Sequence, residues 1–517
     1  QIFDSNLAFH SESYPAFGIY SYNDKAMQVT HGDGNMSLDL AVESVKQYTV
    51  AEAEITEILL KDKVYPFFVK QCYKAYKNSD VIGTWVEVTN QEKKPVTMYK
   101  FASAFIPVRR GDNWLTHFHG TWGAENMLQE ERLTDGQKII KNEDGVRNTT
   151  NENPSFMLTL DGKPQEETGH VFGASLAWSG NYTLKLDVDN NRIIKIYAGI
   201  NEDASYYTLD PKKTFVTPEF AMTYSTTGKG GVSRNFHRWA RMYKLSHADS
   251  DRDILLNSWE GVYFKVDQEV MAQMMKDMSQ LGGELFVMDD GWFGDKYPRD
   301  GGSTSLGDWV VCKKKLPQGI EGLIASAKKC GIKFGLWIEP EMVNSKSELY
   351  EKHPDWIICQ DNRTPTTGRG GTQMILDLSN PKVQDFVFGV VDNLMTNYPE
   401  IAYIKWDANA SIMNYGSYYL PKDRQSHLYI EYHKGLNNVL ERIRTKYPHL
   451  LMQACASGGS RVNYGLLPYF GEFWTSDNTD AYQRIYMQWG VSNFYPAIAM
   501  ASHVSADKNH QTGRRTP

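Results

Sequence analysis

The sequence predicts a multidomain protein in which an antiparallel β-sandwich is followed by a (β/α)8 barrel. Three observations point there. The 517 residues exceed the usual size of one domain. As far as about residue 230, short period-two apolar runs are punctuated by turn formers. Beyond residue 251, short apolar runs alternate with amphipathic, helix-like stretches.

In the first part, residues 98–106, 155–160, 182–188 and 193–197 alternate polar and apolar side chains, as strands with one buried face do. Thr227-Gly-Lys-Gly-Gly-Val232 lacks the spacing of a phosphate-binding loop and follows no obvious strand, so it is a connector. A helical stretch at 233–243 comes next. The expected domains are residues 1–232, with a linker helix following, and residues 233–517.

In the second part the expected strands are 254–259, 285–289, 333–338, 374–378, 401–406, 450–455, 472–476 and 495–500. Helices at 269–281, 320–329, 383–397 and 431–444 show the apolar spacing of a face packed on a sheet. Eight such alternations imply a barrel that ends just after its eighth strand. The chain stops at Pro517 before an eighth helix, and it opens at Gln1, which fits a removed signal peptide or a trimmed start. Compartment stays open, with a bacterial-type periplasmic or secreted location preferred to a cytoplasmic one.

A 41% hydrophobic content fills two cores, and no apolar run approaches the roughly 20 residues of a membrane span. A net charge of -7 without a clustered basic face argues against nucleic acid. The five cysteines are odd in number and widely spaced, which indicates free thiols rather than a disulfide framework or zinc knuckle.

Barrel chemistry lies at the C-terminal ends of strands. There the chain presents Trp259-Glu260, Asp289-Asp290-Gly-Trp292, Trp337-Ile-Glu-Pro-Glu341, Asp377, Lys405-Trp-Asp407, Cys455-Ala-Ser-Gly-Gly459, Asp477-Asn478 and His503. Two carboxylates so placed, Asp407 and Asp477, suggest glycoside hydrolysis. Lys405, two residues before Asp407, points the same way and would keep it ionised. The bland alternative is a structural ion pair. Partial burial of Asp477 would hold a proton ready for a leaving group. Asp480 fits a helix cap. Asp289 and Asp290 beside an indole suit sugar hydroxyls. A metal lacks a His or third carboxylate at ligand spacing, so neither metal nor cofactor is expected. The glycines around Gly458 would let backbone N–H groups approach a ligand. Trp259 and Trp337, each alone, read equally as core.

Together these motifs resemble the α-galactosidases and α-N-acetylgalactosaminidases of glycoside hydrolase family 36. The matching pieces include Tyr14-Pro-Ala-Phe-Gly18, Ser233-Arg-Asn-Phe-His-Arg238, Asn257-Ser-Trp-Glu260, Met288-Asp-Asp-Gly-Trp-Phe-Gly294, Gly335-Leu-Trp-Ile-Glu-Pro-Glu-Met-Val343, His353-Pro-Asp-Trp356, Lys405-Trp-Asp407, Trp474-Thr-Ser-Asp477 and Ser502-His-Val-Ser505 with Asn509-His-Gln511. The resemblance implies an N-terminal β-supersandwich, a barrel, and a C-terminal β-domain that this chain does not reach. It implies metal-free, retaining, exo-acting removal of terminal α-galactose-type sugars, with homo-oligomeric assembly an option. Asp407 would be the nucleophile and Asp477 the acid/base. Asp289 and Asp290 would take O4 and O6, Trp259 and Trp337 would line the site, and Lys405 and Cys455 would approach positions 2 and 3.

Departures from the family pattern concern one side of the ring. Asn478 stands where the family has Asp, Ala410 where it has Arg, and Gly371 where it has Arg, with Arg369 slightly earlier; Asn409 is retained. Free amide donors on Asn478 and the space left by a lost arginine would suit an N-acetyl group at position 2. α-Galactosidase, α-N-acetylgalactosaminidase and α-galactosyl transglycosylase therefore stand as alternatives. A sugar-binding protein without activity would not need both Asp407 and Asp477.

Overall fold

The computed structural model describes residues 12–19, 23–189, 193–505 and 508–515. The first part is built from antiparallel sheets whose alternating residues share one core. A ten-stranded sheet and a four-stranded sheet face each other, and a three-stranded sheet adjoins them. Leu184, Leu186, Ile194 and Ile196 of the smaller sheet pack with Val86, Val88, Phe156 and Leu158 of the larger. The expected strands at 182–188 and 155–160 are present as Tyr182–Val188 and Ser155–Thr159. The run at 98–106 divides instead between Val96–Phe101 and Ala104–Arg109, which belong to different sheets. The glycines expected as a connector open the helix Gly228–Trp239 directly.

The second part contains a parallel sheet of seven strands, each paired with the next in chain order: Leu255–Asn257, Leu285–Met288, Lys333–Ile338, Ile401–Trp406, Leu451–Ala454, Glu472–Trp474 and Met500–Ala501. The crossover helices carry the signals their sequences announce. Asp267 caps Gln268–Gln280 by accepting from Glu269 and Val270 N–H, and Met271, Met275 and Met278 line its buried face. Asn380 caps Pro381–Asn397, where proline at the first turn loses no intrahelical bond.

Two expected strands differ. Residues 374–378 do not enter the parallel sheet. Met374–Ile375 pair antiparallel with Met342–Val343, and Lys333–Ile338 pairs directly with Ile401–Trp406. The N–H groups of Leu376 and Asp377 go to the Glu341 and Trp356 carbonyls, so the apolar run finds its partners among loops. At 495–500, Pro496 has no N–H for a ladder, and a 3-10 turn at Ala497–Ala499 precedes the short strand Met500–Ala501.

Candidate active site

The ends of the parallel strands bring most of the predicted residues into one connected network. Asp407 follows Ile401–Trp406, and its backbone N–H continues the ladder to Ile338 O at 2.8 Å. Its Oδ2 accepts from Trp337 Nε1 at 3.2 Å and Asn409 Nδ2 at 2.8 Å. Its Oδ1 accepts from the N–H groups of Ala408 at 2.9 Å and Ser457 at 3.3 Å. Burial pushes this carboxyl up, but Lys405, Arg369 and the Asn409 and Cys455 hydrogen bonds outweigh it and hold the group below its ordinary value. Asp407 is a buried anion.

Lys405 does not pair with Asp407 directly. Its Nζ lies 2.8 Å from Asp289 Oδ2, and its effect on Asp407 acts through space. Asp289 also accepts from Asn257 Nδ2 at 2.6 Å. Both oxygens of Asp290 are gripped by buried Arg299, through Nε and Nη2 at 2.9 Å each, leaving further lone pairs on each oxygen. Cys455 is buried beside Asp407, and burial together with that anion keeps its thiol protonated. Trp337 is fully buried against Phe293 and Trp309, so it is a core residue and a donor to Asp407 at once. Trp259, half-buried, packs edge-on to Tyr263 and Phe264.

The turn after Leu451–Ala454 needs its glycine. Gly458 has φ +88°, and a Cβ there would lie 2.5 Å from Asp477 N and 2.9 Å from Glu125 Oε1. Ser457 N–H from this turn goes to Asp407, and Ser457 Oγ donates to Asn409 Oδ1 at 2.7 Å.

Asp477 follows Glu472–Trp474. Trp474 Nε1 donates to its Oδ1 at 3.2 Å, and Trp122 Nε1 to its Oδ2 at 3.3 Å. Burial and then the Asp407 charge push its carboxyl above the ordinary value. Asp480 caps the helix Ala481–Ser492, accepting from Tyr482 and Gln483 N–H. His503, from the last strand end, approaches Glu260 at 3.3 Å.

Asn478 corrects an expectation. Its Nδ2 donates to Gly123 O at 2.9 Å and to Gln483 Oε1, and its Oδ1 accepts from Asp480 N–H at 3.1 Å. No free amide donor remains to face a sugar. A guanidinium reaches the carboxylate cluster despite the lost arginine. In the hairpin closed by Gly368 and Gln373, Arg369 lies 3.9 Å from Glu339 and within the fields of Asp407, Asp290 and Asp477.

Several of these neighbours escaped the sequence reading. Glu339 is fully buried, accepts from Asn409 N–H at 2.5 Å and Gln373 Nε2 at 3.1 Å, and is pushed up to about 8 by burial and Asp407. It stood at a scanned strand end, but nothing in the sequence separated it from Glu341. Arg299, Trp122 and Glu125 lie off the strand ends and gave no signal. Among the described residues no group of three or more His, Cys, Asp or Glu is arranged to hold a metal ion.

A family model described as Melibiase matches residues 214–517, and one described as Glycosyl hydrolase family 36 N-terminal domain matches residues 4–210. The chain is 35% identical over 520 residues to α-galactosidase AgaA of Geobacillus stearothermophilus, covering 97% of this chain and 70% of that protein. A crystal structure of an AgaA variant in complex with stachyose superimposes with a TM-score of 0.94, covering 98% of this chain and 72% of that one at 35% identity. The α-galactosidase of Lactobacillus brevis superimposes with a TM-score of 0.93 at 32% identity, covering 100% and 71%. With both of its parts matched and this likeness running end to end, the chain belongs to glycoside hydrolase family 36.

Proposed function

We propose that this chain carries out retaining, exo-acting hydrolysis of terminal α-linked galactose by double displacement, on a (β/α)8-type barrel whose strand ends hold the reacting groups. The observation that carries the reading is the opposed setting of two carboxyls, Asp407 buried and Asp477 half-buried. Asp407 is held ionised by its donors and nearby cations, and Asp477 is pushed toward its protonated form. Asp477 gives its proton to the glycosidic oxygen as Asp407 attacks the anomeric carbon. The bonding pair leaves with the aglycone, and a galactosyl ester forms on Asp407. Asp477, now a carboxylate, takes a proton from water, whose oxygen attacks the same carbon and releases Asp407. Variants of AgaA have been crystallised with stachyose and raffinose. Substrates of that class, with a terminal α-galactosyl group, are proposed here.

Plain galactose is favoured over its 2-acetamido analogue. The amide of Asn478 is engaged by Gly123 and Gln483, and Arg369 returns a guanidinium to the carboxylate cluster. The test compares turnover of 4-nitrophenyl α-galactoside and 4-nitrophenyl α-N-acetylgalactosaminide by the purified protein and by Asp407→Asn. A preference for the galactoside and a loss of more than about a thousandfold in the variant are expected. Faster turnover of the acetamido substrate, or an active variant, would contradict the reading.

A further inference from the structure

A loop of the antiparallel part crosses to the parallel sheet and holds three consecutive residues there. The loop follows strand Trp114–Phe118 and is tightened by mutual Thr121 and Ala124 backbone hydrogen bonds, with Gly123 at φ +77°. Trp122 Nε1 donates to Asp477 Oδ2 at 3.3 Å. Gly123 O accepts from Asn478 Nδ2 at 2.9 Å. Glu125 Oε2 accepts from Ser476 Oγ at 2.5 Å. Glu125 is fully buried, and its Oε1 has no hydrogen-bond partner and faces the Gly458 turn. From the other side, Arg484 donates to the carbonyls of Asn478 at 2.9 Å and Ser476 at 3.1 Å.

The Asp477 carboxyl is thus gripped by two indole N–H donors, Trp474 from its own strand and Trp122 from the sandwich. A carboxyl that must point at a departing oxygen gains from such fixing, because small misplacements of a reacting group cost rate steeply. The unpartnered Glu125 oxygen, buried on the same loop, carries a desolvation cost that folding alone does not call for.

We propose that Trp122 and Glu125, both supplied by the sandwich, are positioning residues for the proton donor: Trp122 aims the Asp477 carboxyl, and Glu125 fixes the loop that carries it. The inference rests on the reading of Asp477 as the acid/base.

The charged surroundings support it. Asp477 faces Asp407 and Lys405 from the parallel strands, Arg369 from the hairpin, Arg484 from the following helix and Glu125 from the sandwich. Burial pushes Glu125 up to about 7, with Asp477 contributing. The Trp122 bond favours ionised Asp477, so its removal raises that group's pKa.

Trp122→Phe keeps an aromatic ring but removes the indole donor, and Glu125→Leu removes the acceptor of Ser476 Oγ. Raffinose has a sugar leaving group that needs a proton, whereas an aryl galactoside with an acidic phenol does not. In each variant kcat/KM for raffinose is expected to fall at least about tenfold, and that for 4-nitrophenyl α-galactoside less than about threefold, with the melting temperature unchanged. Equal losses on both substrates, or none on either, overturn the proposal. A wild-type protein that turns over neither substrate refutes the reading of the site instead. The positioning contact is then decided by ¹³C NMR titration of labelled aspartates. The Asp477 midpoint, identified by its absence in Asp477→Asn, moves upward in Trp122→Phe, and an unmoved midpoint overturns the proposal.

Discussion

Asp407 and Asp477 are the same chemical group in opposed surroundings, and the opposition sets a pH dependence. In the proposed mechanism Asp407 works ionised, and its pKa is lowered, so activity should be lost as pH falls through that depressed value. In the same mechanism Asp477 works protonated, and its pKa is raised, so activity should be lost as pH rises through it. A bell-shaped kcat/KM profile is expected, with limbs that belong to the coupled pair. A profile flat across both limbs would contradict the assignment. Asn478→Asp removes the donor to the Gly123 carbonyl and sets a carboxylate against it. A loss of about 1–3 kcal/mol in chemical denaturation is expected, without conversion to acetamido substrates. The positions of Asp407 and Asp477 were legible because each directly follows a strand-like apolar run. The commitments of Asn478 and the reach of Arg369 were not, because both depend on which loop lies opposite.

At the scale of elements, the segment after strand Lys333–Ile338 is tied to its neighbours by a buried ion pair. Arg461 grips Glu341 at 2.7 and 3.0 Å, while Trp406 Nε1 and the Tyr432 hydroxyl donate to the same carboxylate. Burial raises the Glu341 carboxyl, but these donors outweigh it and keep the group ionised. Arg461→Ala strands that charge in the core, and a loss of about 3–5 kcal/mol is expected in a denaturant titration. Undiminished stability would show the pair to be dispensable. Helices were legible to within a few residues, because apolar spacing and caps such as Asp267 and Asn380 are local signals. Residues 374–378 were misread because an apolar run does not reveal which backbone it will pair with. At 495–500 Pro496 was the overlooked signal.

For the whole molecule, the two parts meet at the chemistry. The loop bearing Trp122 and Glu125 reaches more than 350 residues along the chain to Ser476, Asp477 and Asn478, as separations of 355 and 351 residues show. No local pattern announces such a contact, so the strand ends pointed to Asp477 and not to what holds it. The central claim remains that Asp407 forms a covalent bond to galactose. Its most direct test is peptide mapping by mass spectrometry after reaction with a slow-turnover fluorinated α-galactosyl fluoride. The mass of one fluorinated galactosyl group on the peptide containing Asp407, absent in Asp407→Asn, is the predicted result. Label on another residue, or an unlabelled enzyme that releases galactose with inverted anomeric configuration, would contradict it.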